Sequence, residues 1–346
     1  MALARLAPAV VLLASVGCTQ LSPDVPTAHI VERARPAMGS ELRLTAWTPR
    51  DAAAFDAFFQ IFEEFDRLED LMSVWREGSD IQRLNAAAGE QPVPVSPEVR
   101  EVLRIARQVS EWTDGKFDVT FAVLSGLWKF DYQNKDNTIP DRNEVLKRLP
   151  LINYRDLDVD DQAGTAYLKR KGMQVDLGGI GKGYATDRAA EIFRRRGVRD
   201  FMIQAGGDLY VSGRREDRPW RVGIRDPRGP ADRSFAALDL SDGTFSTSGD
   251  YERFFIKDGR RYHHILDLSL GEPARGCRSV TLLTSRAVIA DALAKGVFVL
   301  GPDAGMALIE RLPDIEGVIV SASNDVLVSS GLRNRLIRLA TPTDAP

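Results

Sequence analysis

The stretch VDLGGIGKGYATD, residues 175–187, decides how the rest of the chain is read. Met173 to Asp176 carries an extended pattern, Gly178 to Gly183 reads as a glycine-rich turn, and Tyr184 to Arg196 reads as a helix. A strand feeding such a turn at a helix N-terminus aims backbone amides along the positive end of the helix dipole, which suits phosphate or pyrophosphate. Lys182 adds a mobile positive charge. The stretch is not a Walker A loop: Asp176 stands where the first glycine belongs, and Gly183 replaces the Ser or Thr that would hold magnesium. Nor is it the dinucleotide fingerprint, since its glycines run GxGxG rather than GxGxxG. On these residues alone, a phosphate site and a tight structural turn both stand.

Downstream, Phe201–Gln204 reads as a strand followed by Gly206, Gly207 and Asp208. Strands are expected over Trp220–Ile224, Phe235–Leu240, Tyr262–Leu266, Ser279–Leu283, Gly317–Val320 and Val326–Ser329, with helices over Arg286–Leu300 and Asp303–Arg311. The Arg194–Arg196 run closes a helix, with Gly197 as its left-handed cap. Upstream, Phe55, Phe58, Phe59, Phe62, Phe65 and Leu68 recur at helical spacing and read as one core-facing stripe. A second helix starts with Ser96 as N-cap and Pro97 at its first position, burying Val99, Val102, Leu103 and Ala106. Met72 to Asn85 reads as a loop, and Gly115 to Thr120 follows the second helix. Strands and helices that alternate this irregularly predict an α+β fold, not a doubly wound sheet.

With 346 residues and 44% hydrophobic content, the chain can bury one large domain or two lobes. Its net charge of -3, with acids and bases interspersed, argues against a nucleic-acid surface. The N-terminus reads as a targeting segment. Arg5 precedes the uncharged stretch Leu6–Gly17, too short for the roughly 20 residues a membrane span needs. Ser15-Val16-Gly17-Cys18 resembles a bacterial lipobox, so residues 1–18 are expected to direct export and lipid attachment at Cys18; ordinary signal cleavage is the alternative. Residues 19–29 then form a polar tether, and 30–340 the folded domain. With Cys18 acylated, Cys277 has no disulfide partner.

Two further groups carry chemistry. Asp291 and Lys295 lie four apart on the late helix, hence on one face. An exposed ion pair is the plain reading, but Asp291 sits in the apolar run 287–294, where a carboxylate needs a partner, a hydrogen bond or a metal. His263 and His264 are neighbours in an expected strand and therefore face opposite sides; either can serve as acid or base near neutral pH.

In order, the chain carries Met38-Gly39-Ser40, MSVWREGSDIQRLN (72–85), DGKFDVT (114–120), VDLGGIGKGYATD (175–187), AGGDLYVSG (205–213), STSGDYERFF (246–255), HHILD (263–267) and IADALAKGVFVLG (289–301). Eight such stretches in this order resemble the ApbE family of FAD:protein FMN transferases across the mature chain. The resemblance implies a two-lobed α+β fold related to the tunnelling fold, with FAD in the cleft and Mg²⁺ as cofactor. It implies that FAD is cleaved, AMP leaves, and FMN becomes linked to a threonine of a membrane or exported redox protein, which places this chain on the periplasmic face of a bacterial membrane.

Carried onto this sequence, the resemblance places Met38, Trp75, Lys116, Phe117, Asp118, Asp176 and Lys182 around FAD. It makes His264 the functional histidine, aiding proton removal or orienting phosphate. Mg²⁺ would be held by the Gly179 carbonyl and the Asp291 carboxylate. The sequence departs from the family at three points. Lys295 replaces a metal-binding threonine, Asp267-Leu268-Ser269-Leu270-Gly271 loses a proline and a threonine, and Gly181 replaces an alanine. An ammonium cannot ligate a cation. Two other activities therefore stand beside FMN transfer: a non-catalytic exported FAD-binding maturation protein, and an FAD pyrophosphatase.

Overall fold

Extended segments, some with apolar residues at alternate positions such as Leu42, Leu44 and Ala46, pair into one large antiparallel sheet and several small ones. The computed structural model describes residues 27–130 and 137–345, so the signal segment, the Cys18 lipobox and most of the tether lie outside the described residues. The principal strands are β1 (His29–Ala37), β2 (Ser40–Thr48), β3 (Phe201–Ala205), β4 (Asp208–Ser212), β5 (Trp220–Arg225), β6 (Ser234–Leu240), β7 (Asp242–Gly249), β8 (Phe254–Lys257), β9 (Arg260–His263), β10 (Cys277–Thr284), β11 (Glu316–Ser321), β12 (Val326–Val328) and β13 (Ile337–Arg338). Eight of them form the main sheet in the order β1-β2-β3-β4-β7-β10-β11-β12, every neighbouring pair antiparallel. A small sheet, β5-β6-β13, covers part of one face through Trp220, Val222, Phe235 and Leu238 against Val211, Phe245 and Val320.

The helices α1 (Asp51–Met72), α2 (Asp80–Ala86), α3 (Pro97–Trp112), α4 (Arg142–Arg148), α5 (Gly181–Arg195), α6 (Ala287–Leu300) and α7 (Pro302–Arg311) complete the framework. α1, α3, α5, α6 and α7 build the main core with Leu42, Leu44, Phe201, Ile203, Val280 and Leu282 from the opposite face of the sheet. This segregation of helices from strands is the α+β architecture expected. β10 is buried at every residue because it is covered on both faces, which is why its sequence does not alternate. α6 is apolar nearly all round for the same reason, packed among α3, α5, α7 and the sheet. Among the described residues no helix is long and apolar enough to cross a membrane.

Four local expectations need correction. The core stripe of α1 runs through Ala54, Phe58, Ile61, Phe65, Leu68 and Met72, whereas Phe55 and Phe59 are exposed, because Phe59 lies one residue, about 100°, off the buried face. Met72–Asn85 is not all loop: Ser79 caps α2 by accepting from the Gln82 amide at 3.0 Å, and the Gln82 side chain returns to the Gly78 amide at 2.9 Å. Met173–Asp176 is extended but belongs to no strand. The Asn85 side chain accepts from the Val175 amide at 2.7 Å and donates to its carbonyl at 2.9 Å, standing in for a neighbouring strand. The expected strand Tyr262–Leu266 is broken, since its ladder with β8 ends at His263 and the His264 amide turns to the Arg253 carbonyl.

α5 and α6 approach closely at Gly183. A Cβ there would lie 2.4 Å from the Ala287 carbonyl oxygen and 2.7 Å from the Asp291 Cβ. This contact, rather than ligand binding, accounts for a glycine at that position. Gly183→Ala is expected to cost about 3 kcal/mol through forced separation of two backbones, read as a lowered midpoint of chemical denaturation. An unchanged midpoint would mean that the helices can part freely. Beyond residue 340 the chain stays tied down, with the Thr343 hydroxyl donating to Asp226 at 2.8 Å.

Candidate active site

The glycine-rich turn enters α5 without a side-chain cap, and the amides of Ile180 and Gly181 both turn back to the Leu177 carbonyl. The Gly183 amide is taken by Asp291 Oδ2 at 2.9 Å, a carboxylate delivered from α6 by the close helix contact. One turn further along α6, Lys295 Nζ donates to the Asp291 carbonyl at 2.8 Å and to Asp291 Oδ1. On the other side, Lys182 Nζ lies 3.3 Å from Asp208 Oδ2 at the start of β4, and Asp208 Oδ1 accepts the Ser246 hydroxyl of β7. Two carboxylates and two ammonium groups thus interlock.

The layering of these four groups is uneven. The Asp291 and Asp208 side chains are 1% and 3% exposed, while Lys295 and Lys182 keep 23% and 21%. Burial alone would raise the Asp291 carboxyl, but the charges of Lys182 and Lys295 outweigh it and hold the group below its ordinary range. Asp208 moves the other way, raised by burial and by the Asp291 charge against the pull of Lys182. Burial works against the Lys182 ammonium, yet Asp291 and Asp208 raise its proton affinity. The plain reading of Asp291 and Lys295 as an exposed pair does not describe this arrangement.

Around this cluster stand two tight turns. Met38 has φ of 46° and donates its amide to Glu69 at 3.2 Å. Gly206 has φ of +60°, and a Cβ there would sit 3.2 Å from the Ser40 side chain and 3.8 Å from Lys182 Cε. Ser40 Oγ is buried without a hydrogen-bond partner among the described residues. Arg253 is exposed, with its guanidinium near Gly39, and its charge is felt at Asp176, Lys182 and His264.

The two histidines differ in how their ring nitrogens are used. His263 Nε2 meets the Ala274 carbonyl at 2.7 Å and its Nδ1 accepts from the Ile265 amide at 3.3 Å, which fixes one neutral tautomer. His264 Nδ1 is buried with no partner among the described residues. Burial, then His263, Arg253 and Lys295, push the His264 pKa down to about 3, so this ring is neutral at rest.

The other residues named from sequence divide. Phe117 is buried beside Gly179, where a Cβ would lie 3.4 Å from its ring and 3.3 Å from Lys295 Cδ. Asp176 is half-buried, accepts from the Gly178 amide at 2.7 Å, and has a carboxyl raised by burial. Lys116 bridges to Asp267 and Ser269 at 3.2 Å each. Asp118 is spent on structure: it accepts from the Thr120 amide and hydroxyl and from the Tyr154 amide at 2.7–2.8 Å. Trp75 is 88% exposed on the loop after α1. Sequence reading did not single out Asp208, Ser246, Ser40 or Arg253. Asp208 could have been found from its place directly after Gly206-Gly207, by the same logic that drew attention to the 178–183 turn.

The groups around Gly179 and Asp291 do not fit a divalent cation as they stand. Both Asp291 oxygens are engaged, Lys295 lies across Gly179, and among the described residues no group of three or more acidic, histidine or cysteine side chains converges there. A dication 4 Å from one ammonium would be repelled by on the order of 8 kcal/mol at an effective dielectric constant of about 20.

Comparison with known proteins agrees with the layout. The model of the ApbE family matches residues 38–319. An FAD:protein FMN transferase of Klebsiella pneumoniae is 31% identical over 299 residues, covering 86% of this chain and 91% of that protein. One from Treponema pallidum is 30% identical over 322 residues, 88% of each chain. Among solved structures, the ApbE protein of Thermotoga maritima superposes with a TM-score of 0.80 at 32% identity, covering 89% of this chain and 99% of that one. The flavin transferase ApbE of Vibrio cholerae gives 0.79 at 27% identity, with the same shares covered.

Proposed function

The chain belongs to the ApbE family, and from that membership we propose that it is a flavin transferase moving FMN from FAD to a threonine hydroxyl of a partner redox protein. The observation that carries this reading is the pair of ammonium groups, Lys182 and Lys295, set in front of buried carboxylates at the N-terminus of α5. Such a surface receives a pyrophosphate and neutralises charge as a phosphoryl group transfers. In this reading Met38, Phe117 and Asp176 border the bound FAD, Lys116 lies at its margin, and exposed Trp75 is free to stack on a ring.

The reaction forms one bond and breaks one. The acceptor oxygen attacks the FMN-side phosphorus, the bridging P–O bond breaks, and AMP leaves with the bridging oxygen. The hydroxyl proton passes to the neutral His264 ring, whose Nδ1 has no partner among the described residues. At rest the ring is a weak base; the negative charge of an incoming pyrophosphate would raise its proton affinity. The Mg²⁺ that the family resemblance implies finds no fitting donor set here.

The sequence motif at Ser15–Cys18 supports an exported protein held to a bacterial membrane by lipid on Cys18, where membrane-bound or exported redox partners would be within reach. The test is mass spectrometry of an acceptor domain already known to be flavinylated by another family member, after incubation with this protein and FAD. A covalent FMN adduct is expected. Tight FAD binding with no adduct would favour a maturation factor that only holds flavin, and free FMN with AMP would favour a pyrophosphatase.

A further inference from the structure

We propose that the Lys295 ammonium occupies the place of a divalent cation in this chain, so that FAD is bound and its FMN transferred without a metal ion. This inference rests on the flavin-transferase reading. Three observations lead to it. Lys295 passes beside Gly179, its Cδ 3.3 Å from where a Cβ would stand, and ends on the Asp291 carboxylate, so one side chain lies against both residues that would hold a metal. Its ammonium also donates to the Asp291 carbonyl, which fixes it in place and leaves one N–H without a hydrogen bond among the described residues. The four groups already balance in the free protein: Asp208 and Asp291 offset Lys182 and Lys295, and a dication added before FAD would leave two uncompensated charges.

The layering gives the site its sign. The carboxylates are the buried members and the ammonium groups the ones retaining exposure, so an approaching ligand meets cations first. Such a surface attracts an anion, whereas a metal site turns its oxygens toward the ligand. Lys182 and Lys295 belong to two helices in direct contact, and Arg253, whose guanidinium lies near Gly39, adds a third positive charge felt at Lys182. Together they supply the charge neutralisation that a metal would otherwise provide.

The test uses the full chain, with FAD and Mn²⁺ as probes, in the wild type and in Lys295→Thr, Lys295→Met and Lys295→Arg. For the wild type, FAD affinity in EDTA is expected within about threefold of that in Mg²⁺, and the electron paramagnetic resonance signal of free Mn²⁺ is expected to persist after FAD is added. Lys295→Thr is expected to capture Mn²⁺ and to need a divalent cation for full FAD affinity. Lys295→Met, which removes charge without adding a ligand, is expected to bind FAD at least about tenfold more weakly with or without metal, and Lys295→Arg to recover most of that loss. Circular dichroism melts identify any variant that fails to fold, and the wild-type arms decide the matter without the variants.

Stoichiometric Mn²⁺ capture by the wild type, or FAD affinity that collapses in EDTA, would overturn this inference and leave the transferase reading intact. Equal FAD affinity for wild type and folded Lys295→Met would overturn it as well. Wild-type protein that binds no FAD under any condition would overturn both. The acceptor assay run in EDTA completes the distinction: adduct formed at a rate within about threefold of that in Mg²⁺ is expected, and strict dependence on Mg²⁺ contradicts the inference.

Discussion

Glutamine in place of His264 is expected to slow FMN transfer by about 10²–10⁴-fold while FAD affinity changes little. The reason lies in the ring's isolation. Its neighbour His263 has both nitrogens satisfied by backbone, whereas His264 Nδ1 is buried without a partner beside the cationic cluster. A ring nitrogen with no hydrogen bond there is the candidate proton acceptor, and glutamine keeps the polarity without the basicity. Burial, then the charges of His263, Arg253 and Lys295, set the pH behaviour by lowering the pKa to about 3. The neutral form therefore prevails in the free protein throughout the neutral range, and the profile of kcat/KM should show no histidine limb near 6.5. A limb at that pH in the wild type that vanishes in His264→Gln would show that the ring titrates normally and is not isolated. The same lowered pKa ties stability to pH. Its contribution is fully present above the unfolded value of 6.5 and is lost progressively as pH falls toward 3, because the unfolded chain takes up the proton first. His264→Gln should flatten that part of the acid-unfolding curve.

Much of this architecture is legible in the sequence because it depends on local rules. Ser96-Pro97 opens α3 as its residue types dictate, with Ser96 Oγ accepting from the Val99 amide at 3.3 Å. The α2 start carried the same kind of signal, Ser79 with Gln82 three residues on, and is just as readable once the capping pattern is sought. Phe59 shows the limit of periodicity: a phenylalanine one residue off the buried face still looks like core in one dimension. Long-range clamps are not legible at all. Nothing in the sequence says that Asn85 will hold the backbone of Val175, ninety residues away, or that Asp291 will cap the Gly183 amide. The glycine-rich turn was recognisable as a phosphate site or a tight structural turn, but the partner of Lys182 was not. Asp208 reaches it only because β3 and β4 turn at Gly206-Gly207 beneath α5. Lys295 was visible as a departure from the family pattern, yet its consequence required the geometry. An exposed lysine could swing away from a metal, whereas this one is tied to two oxygens of Asp291.

Alanine at position 291 is expected to destabilise the fold by about 3 kcal/mol, the lower end of what breaking a buried ion pair costs. The lower end applies because Lys182 and Lys295 each keep about a fifth of their exposure and can recruit some water. Two losses combine. The balanced quartet is left with two ammonium groups against Asp208 alone, and the Gly183 amide loses its acceptor in the first turn of α5, where the N-cap residue Ile180 offers no side-chain cap. These contributions can be separated. Asp291→Asn keeps an oxygen that can accept from Gly183 but removes the charge, so it should recover the amide portion only. Adding Lys295→Met to Asp291→Ala removes one stranded ammonium and should restore part of the stability, leaving the double variant more stable than the sum of the single losses predicts. Chemical denaturation of the four proteins of this cycle gives the coupling directly. If the two losses simply add, Asp291 and Lys295 are not holding one another and the quartet is a coincidence of packing. A clear coupling would mean that the positive face offered to a phosphate is maintained by the carboxylates behind it. The fold would then be sustaining, at rest, the charge arrangement that FAD binding requires.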